Sequence, residues 1–267
     1  MGILNITPDS FFADSRAGSE KAIVERVWQM TDEGADMLDV GAYSSRPGAD
    51  DVSTAEEMER LRFALGIVMR ERPDTVVSVD TFRADVAKMC VEEYGASIIN
   101  DISGGMLDGE MFSTVARLGV PYILMHMQGT PRDMQLAPHY DDMMREVFLY
   151  MAERINRLSE LGVNDIILDP GFGFGKTLEH NYELMRHTRE FAAFGRPVLV
   201  GVSRKSMIYK LLGGTPHTAL NGTTVLNTIA LMKGASILRV HDVKEAREAV
   251  SIYTAMMGLT NDETEAL

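Results

Sequence analysis

Residues 76–103 read VVSVDTFRADVAKMCVEEYGASIINDIS. Two short apolar runs, 76–81 and 97–103, enclose a stretch of helical periodicity from Arg83 to Tyr94 that Gly95 stops. The runs carry polar residues at their ends, Asp80 in the first and Asn100 with Asp101 in the second. Strand, helix and strand in this order predict a parallel pair joined by a crossover helix. The pattern recurs outward in both directions, with further apolar runs at 2–7 (GILNIT), 37–42 (MLDVGA), 122–127 (YILMHM), 165–171 (DIILDPG), 198–203 (VLVGVS) and 237–242 (ILRVHD). Eight strands alternating with helices predict an α/β fold, a (β/α)8 TIM barrel in a single domain. Such barrels do chemistry at the carboxyl ends of their strands. An open doubly wound sheet is the competing architecture, and eight regular units without a second-domain composition favour closure.

The stretches between the runs carry helix signals. Ser19 is read as the cap of a helix over 20–34, and Ser53 with Glu56 as a capping box for a helix to about Arg72, which Pro73 stops. Asp108 is the candidate cap of a helix ending at Leu118. Further helices are predicted over 141–161, 177–191, 206–212, 216–233 and 243–257. The barrel therefore spans 1–257, and the acidic residues 258–267 read as a frayed tail.

A length of 267 residues is usual for one barrel of this kind. With 45% hydrophobic and 24% charged residues, the chain has enough apolar mass for a large core and enough charge to stay in solution. No run approaches the roughly 18 apolar residues of a membrane span. Asn5, Asp9 and Asp14 interrupt any signal-peptide pattern in residues 1–20, and a single cysteine, Cys90, leaves no internal disulfide. A cytoplasmic location is the expectation. The formal charge of −13 argues against nucleic acid, whose binding rests on Lys and Arg. A small anion remains compatible, because salt screens charges beyond about 8–10 Å and a few local cations can dominate a cleft.

In a barrel, the strand ends bring Asn5, Asp39, Asp80, Asn100, His126, Asp169, Ser203-Arg204-Lys205 and Arg239 with His241 to one mouth. A carboxylate or amide on a buried strand is costly without partners. Any one of them alone is readable as a satisfied structural hydrogen bond, and Asp39, in mid-strand, is the member for which that reading is strongest. The loops 7–14 and 43–48 are rich in Pro, Gly and hydroxyls. Phe11 and Arg46 in these loops suit a lid over an anionic ligand that contains a ring.

Residues 169–177 read DPGFGFGKT, which invites a phosphate-loop reading and fails it on spacing. A glycine-rich exit loop that lets the backbone approach a flat ligand and aims Phe174 at it is the simpler account. The six histidines make no HxxxH pair, so no metal cage is indicated. Strand alternation would put Arg239 and His241 on one face as paired donors for an oxyanion. Met125 and Met127 are candidates to line a ring pocket. Cys90 reads as core packing, since no basic neighbour at helical spacing marks it as a nucleophile.

Several motifs stand in order, one at each strand exit: NITPDSF (5–11), SRPG (45–48), DTFR (80–83), IND (99–101), MHMQGTP (125–131), DPGFGF (169–174), SRKS (203–206) and RVHD (239–242). Together they resemble the dihydropteroate synthase family, over residues 2 to about 257. The resemblance implies a pterin-binding barrel that joins 6-hydroxymethyl-7,8-dihydropterin pyrophosphate to p-aminobenzoate. It implies that Asp80, Asn100, Asp169 and Lys205 hold the pterin, and that Met125 and Phe174 line its faces. It assigns Asn5 to Mg2+ and pyrophosphate, and Ser45, Arg46, Arg239 and His241 also to pyrophosphate. Phe11, Pro47 and Ser206 would shape the p-aminobenzoate pocket. Asp80, Lys205, Arg46 and His241 are then the catalytic candidates. Similar enzymes are homodimers and sulfonamide targets.

Two loops depart from the family pattern. The first continues Phe12-Ala13-Asp14, which displaces its second acidic position, and the second has Tyr43-Ser44-Ser45 where the family usually has Glu-Ser-Thr. Two rival readings meet opposition from the residues. A pterin-binding methyltransferase needs no pyrophosphate clamp, so Arg46, Lys205, Arg239 and His241 oppose it. A catalytically silent pterin-binding paralogue should have lost the loop motifs, and here they survive.

Overall fold

The computed structural model describes residues 1–6, 16–43, 52–131, 133–134 and 136–258. The expectations placed on Phe11, Asp14, Ser45, Arg46, Pro47 and the tail beyond Gly258 lie outside them.

Among the described residues eight strands alternate with helices: β1 (Gly2–Asn5), β2 (Met37–Gly41), β3 (Val76–Asp80), β4 (Ile98–Asp101), β5 (Tyr122–Met125), β6 (Ile166–Asp169), β7 (Leu199–Val200) and β8 (Ile237–Leu238). The helices among the described residues are α1 (Arg16–Asp32), α2 (Thr54–Glu71), α3 (Ala84–Tyr94), α4 (Met111–Leu118), α5 (Met143–Glu160), α6 (Leu178–His187), α7 (Ser206–Leu212), α8 (Leu220–Met232) and α9 (Val243–Met257). Strands β1 to β6 form one parallel sheet in sequence order, and β7 pairs with β8. Two single bridges join these pieces, Leu168 to Val198 and Gly2 to Val240. The second is a two-way exchange, with Ile3 N–H donating to Val240 O at 2.9 Å and Val240 N–H to Met1 O at 3.0 Å. The sheet therefore closes on itself, and the open doubly wound alternative falls.

Period-two alternation sorts the strand residues. Leu38, Val40, Val77, Val79, Ile99, Leu124, Leu168 and Val200 face outward into the large core beneath the helices. Ile98, Ile123 and Leu199 face inward and pack with Met37, Ile167 and Ile237 as an apolar plug inside the barrel. Two residues further along these strands stand Asp39, Asn100, Met125, Asp169, Gly201 and Arg239. The inside of the barrel is thus apolar at the amino ends of the strands and polar at their carboxyl ends.

Most helix limits follow their sequence signals. Ser53 caps α2 by accepting the Glu56 N–H. Gly95 and Gly119 end α3 and α4 in the left-handed conformation. Two readings are corrected. Helix α1 begins at Arg16, so Ser19 is inside it; Ser19 is buried and extends the inward stripe of Ile23, Val27 and Met30, which carries the helix past the polar start signal. Asp108 does not cap α4, whose N-cap is Glu110. Its carboxylate instead accepts the Ala84 N–H at 2.8 Å, capping the neighbouring α3, and the Glu110 N–H at 3.0 Å.

Candidate active site

Sheet register builds the mouth. Asn5 pairs with Gly41, Gly41 with Asp80, and Asp80 with Asn100, so three polar strand ends share one lateral row. Met125 pairs with Asp169 in the same way across β5 and β6. Gly41 leaves room in the row, because a Cβ there would lie 3.1 Å from that of Asp80.

Arg239 ties this row together. Its Nε donates to Asp39 Oδ2 at 2.6 Å and its Nη2 to Asp80 Oδ2 at 2.8 Å. Asn100 Nδ2 donates to the same Asp39 oxygen at 3.0 Å, which turns the Asn100 Oδ1 away from Asp39. Asp39 is fully buried, and its other oxygen, Oδ1, has no hydrogen-bond partner. The mid-strand acid supports the site from below by holding Arg239 and Asn100 in place. Burial pushes the Asp80 carboxyl up to about 7, against the pull of Arg239. Asp80 keeps about a fifth of its side chain exposed (21%), so water at the mouth moderates that effect. Burial alone would lower the Arg239 guanidinium, but Asp39 and Asp80 hold it above its usual range.

Across the mouth, the Asp169 carboxylate accepts the Gly171 N–H at 2.7 Å. Burial raises its pKa, and Lys205 and the Gly171 N–H oppose the rise. The Lys205 ammonium donates to Phe172 O at 2.5 Å and lies 4.8 Å from the centre of the Phe174 ring. Burial lowers it to about 8 despite the nearby Asp169. Ile102, Met125, Met127 and Met134 form a small apolar cluster of their own, and Phe82 and Phe174 pack against it. The result is an apolar wall beside a ring of alternating charges. A surface hollow of about 630 Å³, lined by Arg186, Arg189 and Met232, sits at the far ends of α6 and α8, away from the strand ends. Convergent chemistry rather than hollow size locates the site.

Comparison with known proteins gives the family of the barrel. The family described as "Pterin binding enzyme" matches residues 1–241. This chain belongs to that family of pterin-binding enzymes. It is 44% identical over 262 residues to the dihydropteroate synthase of Escherichia coli (strain K12), covering 96% of this chain and 91% of the relative. The dihydropteroate synthase of Yersinia pestis, solved with a sulfonamide drug complex, superposes with a TM-score of 0.89 at 41% identity, covering 97% of this chain and 94% of that one. The dihydropteroate synthase of Thermus thermophilus, in complex with 4-aminobenzoate, gives a TM-score of 0.85 at 40% identity, covering 96% and 93%.

Within this pterin-binding barrel some side chains depart from the sequence reading. Arg239 and His241 are not a free pair of donors. Strand β8 stops at Leu238, Arg239 turns onto Asp39 and Asp80, and His241 turns to Ser203. Ser203 Oγ accepts the His241 backbone N–H at 3.1 Å and lies 3.1 Å from Nδ1. Its hydroxyl proton is then available to Nδ1, which favours the tautomer with hydrogen on Nε2. Burial, then Arg239, lowers His241 to about 4, so the ring is neutral at pH 7. Arg204 faces away from the ring of charges. It forks onto Asp242 at 2.9 and 2.7 Å and donates to Pro216 O at 3.1 Å. His126 is buried against Lys176 instead of lining the mouth openly.

Three contributors were missed by the sequence reading. Phe82 belongs to the wall, and its place two residues after Asp80 was the available signal. Glu57, buried on α2, accepts from Thr81 Oγ1 at 2.7 Å and pairs with Arg83, fixing the segment that follows Asp80. The available signal was its spacing: Glu57 falls on the inward stripe of Leu61, Ala64, Leu65 and Val68, whereas Glu56 and Glu59 fall off it and are exposed. Lys176 is the third; its ammonium is surrounded by protein acceptors, which removes the phosphate-loop reading on structural grounds as well as on spacing.

Asn5 offers one amide oxygen at the mouth, and no group of three or more His, Cys, Asp or Glu suited to a metal occurs among the described residues. Mg2+ commonly keeps several waters and binds through one or two protein oxygens plus substrate phosphates. Asn5 fits an ion that arrives with a diphosphate, and the donor set does not fit an all-protein cage.

Proposed function

We propose that this chain is a dihydropteroate synthase of folate biosynthesis, condensing 6-hydroxymethyl-7,8-dihydropterin pyrophosphate with p-aminobenzoate to 7,8-dihydropteroate and pyrophosphate. The observation that carries the reading is the convergence of Asp80, Asn100, Asp169 and Lys205 beside the wall of Met125 and Phe174 in one barrel mouth. A pterin edge presents adjacent N–H donors, and a carboxylate can accept two. Asp169 is held for this by the Gly171 N–H, which occupies only part of its accepting capacity. Asn100, with its amide hydrogen given to Asp39, turns an oxygen to the ligand. Lys205 supplies a donor to ring acceptors, and Phe174 and Met125 close over the flat faces.

The chemistry breaks the bond between the pterin methylene carbon and the pyrophosphate oxygen and forms one from that carbon to the aniline nitrogen, which releases a proton. Loss of pyrophosphate first leaves an electron-poor methylene, which the Asp80 carboxylate stabilises from nearby. The leaving charge is met by His241 through Nε2–H, by Arg239, and by Arg46 and Ser45 of the second loop. Asn5 would hold magnesium, which when bound supplies further positive charge to the diphosphate. The aniline is neutral at pH 7 and needs positioning more than a base. Phe11, Pro47 and Ser206 are assigned to that pocket.

A homodimer and a cytoplasmic location complete the reading. Val225 and Met232 on α8 and Ile252, Met256 and Met257 on α9 are at least half exposed on two neighbouring helices, an apolar face suited to a second copy. No helix among the described residues is long and apolar enough to cross a membrane. The deciding experiment is pyrophosphate release from the pterin substrate with magnesium, with and without p-aminobenzoate. Release that p-aminobenzoate accelerates, with dihydropteroate formed, is expected; no dihydropteroate under any condition would sink the assignment.

A further inference from the structure

Lys176 and His126 form a buried pair that none of the chemistry above uses. Lys176 follows the glycine-rich loop 171–175 and is 3% exposed; His126 follows β5 and is 4% exposed. The Lys176 ammonium has three partners: Gly171 O at 3.0 Å, Phe174 O at 3.1 Å and His126 Nδ1 at 2.9 Å. An ammonium has three hydrogens and no acceptor, so these contacts use all of it and fix His126 as the tautomer protonated on Nε2. Two of the contacts are carbonyls of the loop itself. The third reaches across to His126, just past the end of β5, so the lysine closes the loop on itself and fastens it to the exit of the neighbouring strand.

The loop held in this way carries the pterin subsite. Its first residues follow Asp169, and the Gly171 N–H orients that carboxylate. Phe174 contributes its ring to the apolar wall. Lys205 grips the same loop from the other side, through Phe172 O. At Gly171 (φ +76°) a Cβ would lie 1.8 Å from His126 O, so the loop lies against the chain after β5 and only glycine fits there. The two lysines together hold the carbonyls of residues 171, 172 and 174.

We propose that Lys176 and His126 are positioning residues for the pterin subsite, the buried ammonium locking loop 171–175 so that Asp169 and Phe174 are preset for the heterocycle. The inference rests on the pterin-binding reading of this mouth. It sets the Lys176–His126 pair apart from groups that touch substrate, and it makes a claim that general stabilisation would not: the effect falls on one substrate.

The test compares the parent with Lys176→Met, His126→Leu and His126→Asn. Methionine keeps the length of the chain without the donors, leucine removes the acceptor, and asparagine places an amide oxygen near the position of Nδ1. Steady-state kinetics against each substrate are combined with calorimetry using a pterin that lacks the diphosphate. Lys176→Met and His126→Leu should weaken pterin binding and raise KM for the pterin substrate on the order of tenfold, as expected when a buried charged hydrogen-bond group is lost. KM for p-aminobenzoate should stay within about twofold, and His126→Asn should recover most of the affinity. Equal losses for both substrates, unchanged pterin affinity in Lys176→Met, or His126→Asn as impaired as His126→Leu would overturn the proposal. Amide hydrogen exchange over 171–177 is measured on the same proteins without substrate. Faster exchange in Lys176→Met and His126→Leu is expected, and parent-like protection would refute the locking. This arm does not depend on catalysis, so a parent without turnover counts against the proposed function and leaves the lock decided separately.

Discussion

Asp169 and His241 illustrate how one side chain's surroundings set its chemistry. Asp169 is buried with its carboxylate turned by the Gly171 N–H, so both shape and charge are preset. Asp169→Asn replaces an accepting oxygen by a donor and should weaken pterin binding by about 1–3 kcal/mol, read by calorimetry. Unaltered affinity would remove Asp169 from the pterin subsite. His241 titrates at about 4 in the folded protein against 6.5 for a free imidazole. Between those values the unfolded chain binds more protons, so this residue makes stability rise with pH over that window and adds no further slope above it. Urea unfolding of the ligand-free protein should show that rise, and His241→Gln should flatten it; identical slopes in the two proteins would contradict a buried neutral ring. The identity of both residues was legible from their place at strand exits. The direction of the His241 side chain was not, because it depends on Ser203, 38 positions away in the chain.

At the scale of elements, the exits of β7 and β8 are held as one unit by Arg204. Its backbone has φ +55°, a conformation that non-glycine residues adopt at a cost and keep only where contacts fix it. Here the fixing contacts are the fork onto Asp242 and the N–H to Thr223 Oγ1 at 3.0 Å. Residue 204 precedes Lys205 and Ser206, and Asp242 follows His241, so the ion pair couples the Lys205 side of the mouth to the His241 side. Arg204→Ala should lower kcat/KM for both substrates by about tenfold or more. Arg204→Lys should rescue little, because a point charge cannot fork onto a carboxylate. Full activity in Arg204→Lys would show that charge alone suffices. Sequence periodicity gave α7 and α9 their limits, since Gly213 and Gly258 stop them in the left-handed conformation. The same local reading put Arg204 at the mouth and Ser19 at a cap. Both were decided by what packs against them, which local pattern does not encode.

At the scale of the molecule, the outer helical ring leaves the apolar faces of α8 and α9 uncovered. We expect the protein to sediment as a pair of chains, and Ile252→Glu combined with Met256→Glu to shift it to single chains, since charges on that face oppose close apolar contact. A monomeric parent, or a double variant that still pairs, would move the interface elsewhere. Much of the barrel was written in the sequence: eight apolar runs of strand length, helices between them, and polar residues at the run ends favour closure and name most of the mouth, because burial periodicity is a local property of the chain, while the bridges of Gly2 to Val240 and Leu168 to Val198 decide against an open sheet. The partners of those polar residues were decided only in three dimensions. Arg239 bridging Asp39 and Asp80, Lys176 capped by His126 and Arg204 forked onto Asp242 join positions 38 to 200 residues apart. The charge states that follow depend on burial and on neighbours, which the chain acquires only when the barrel closes.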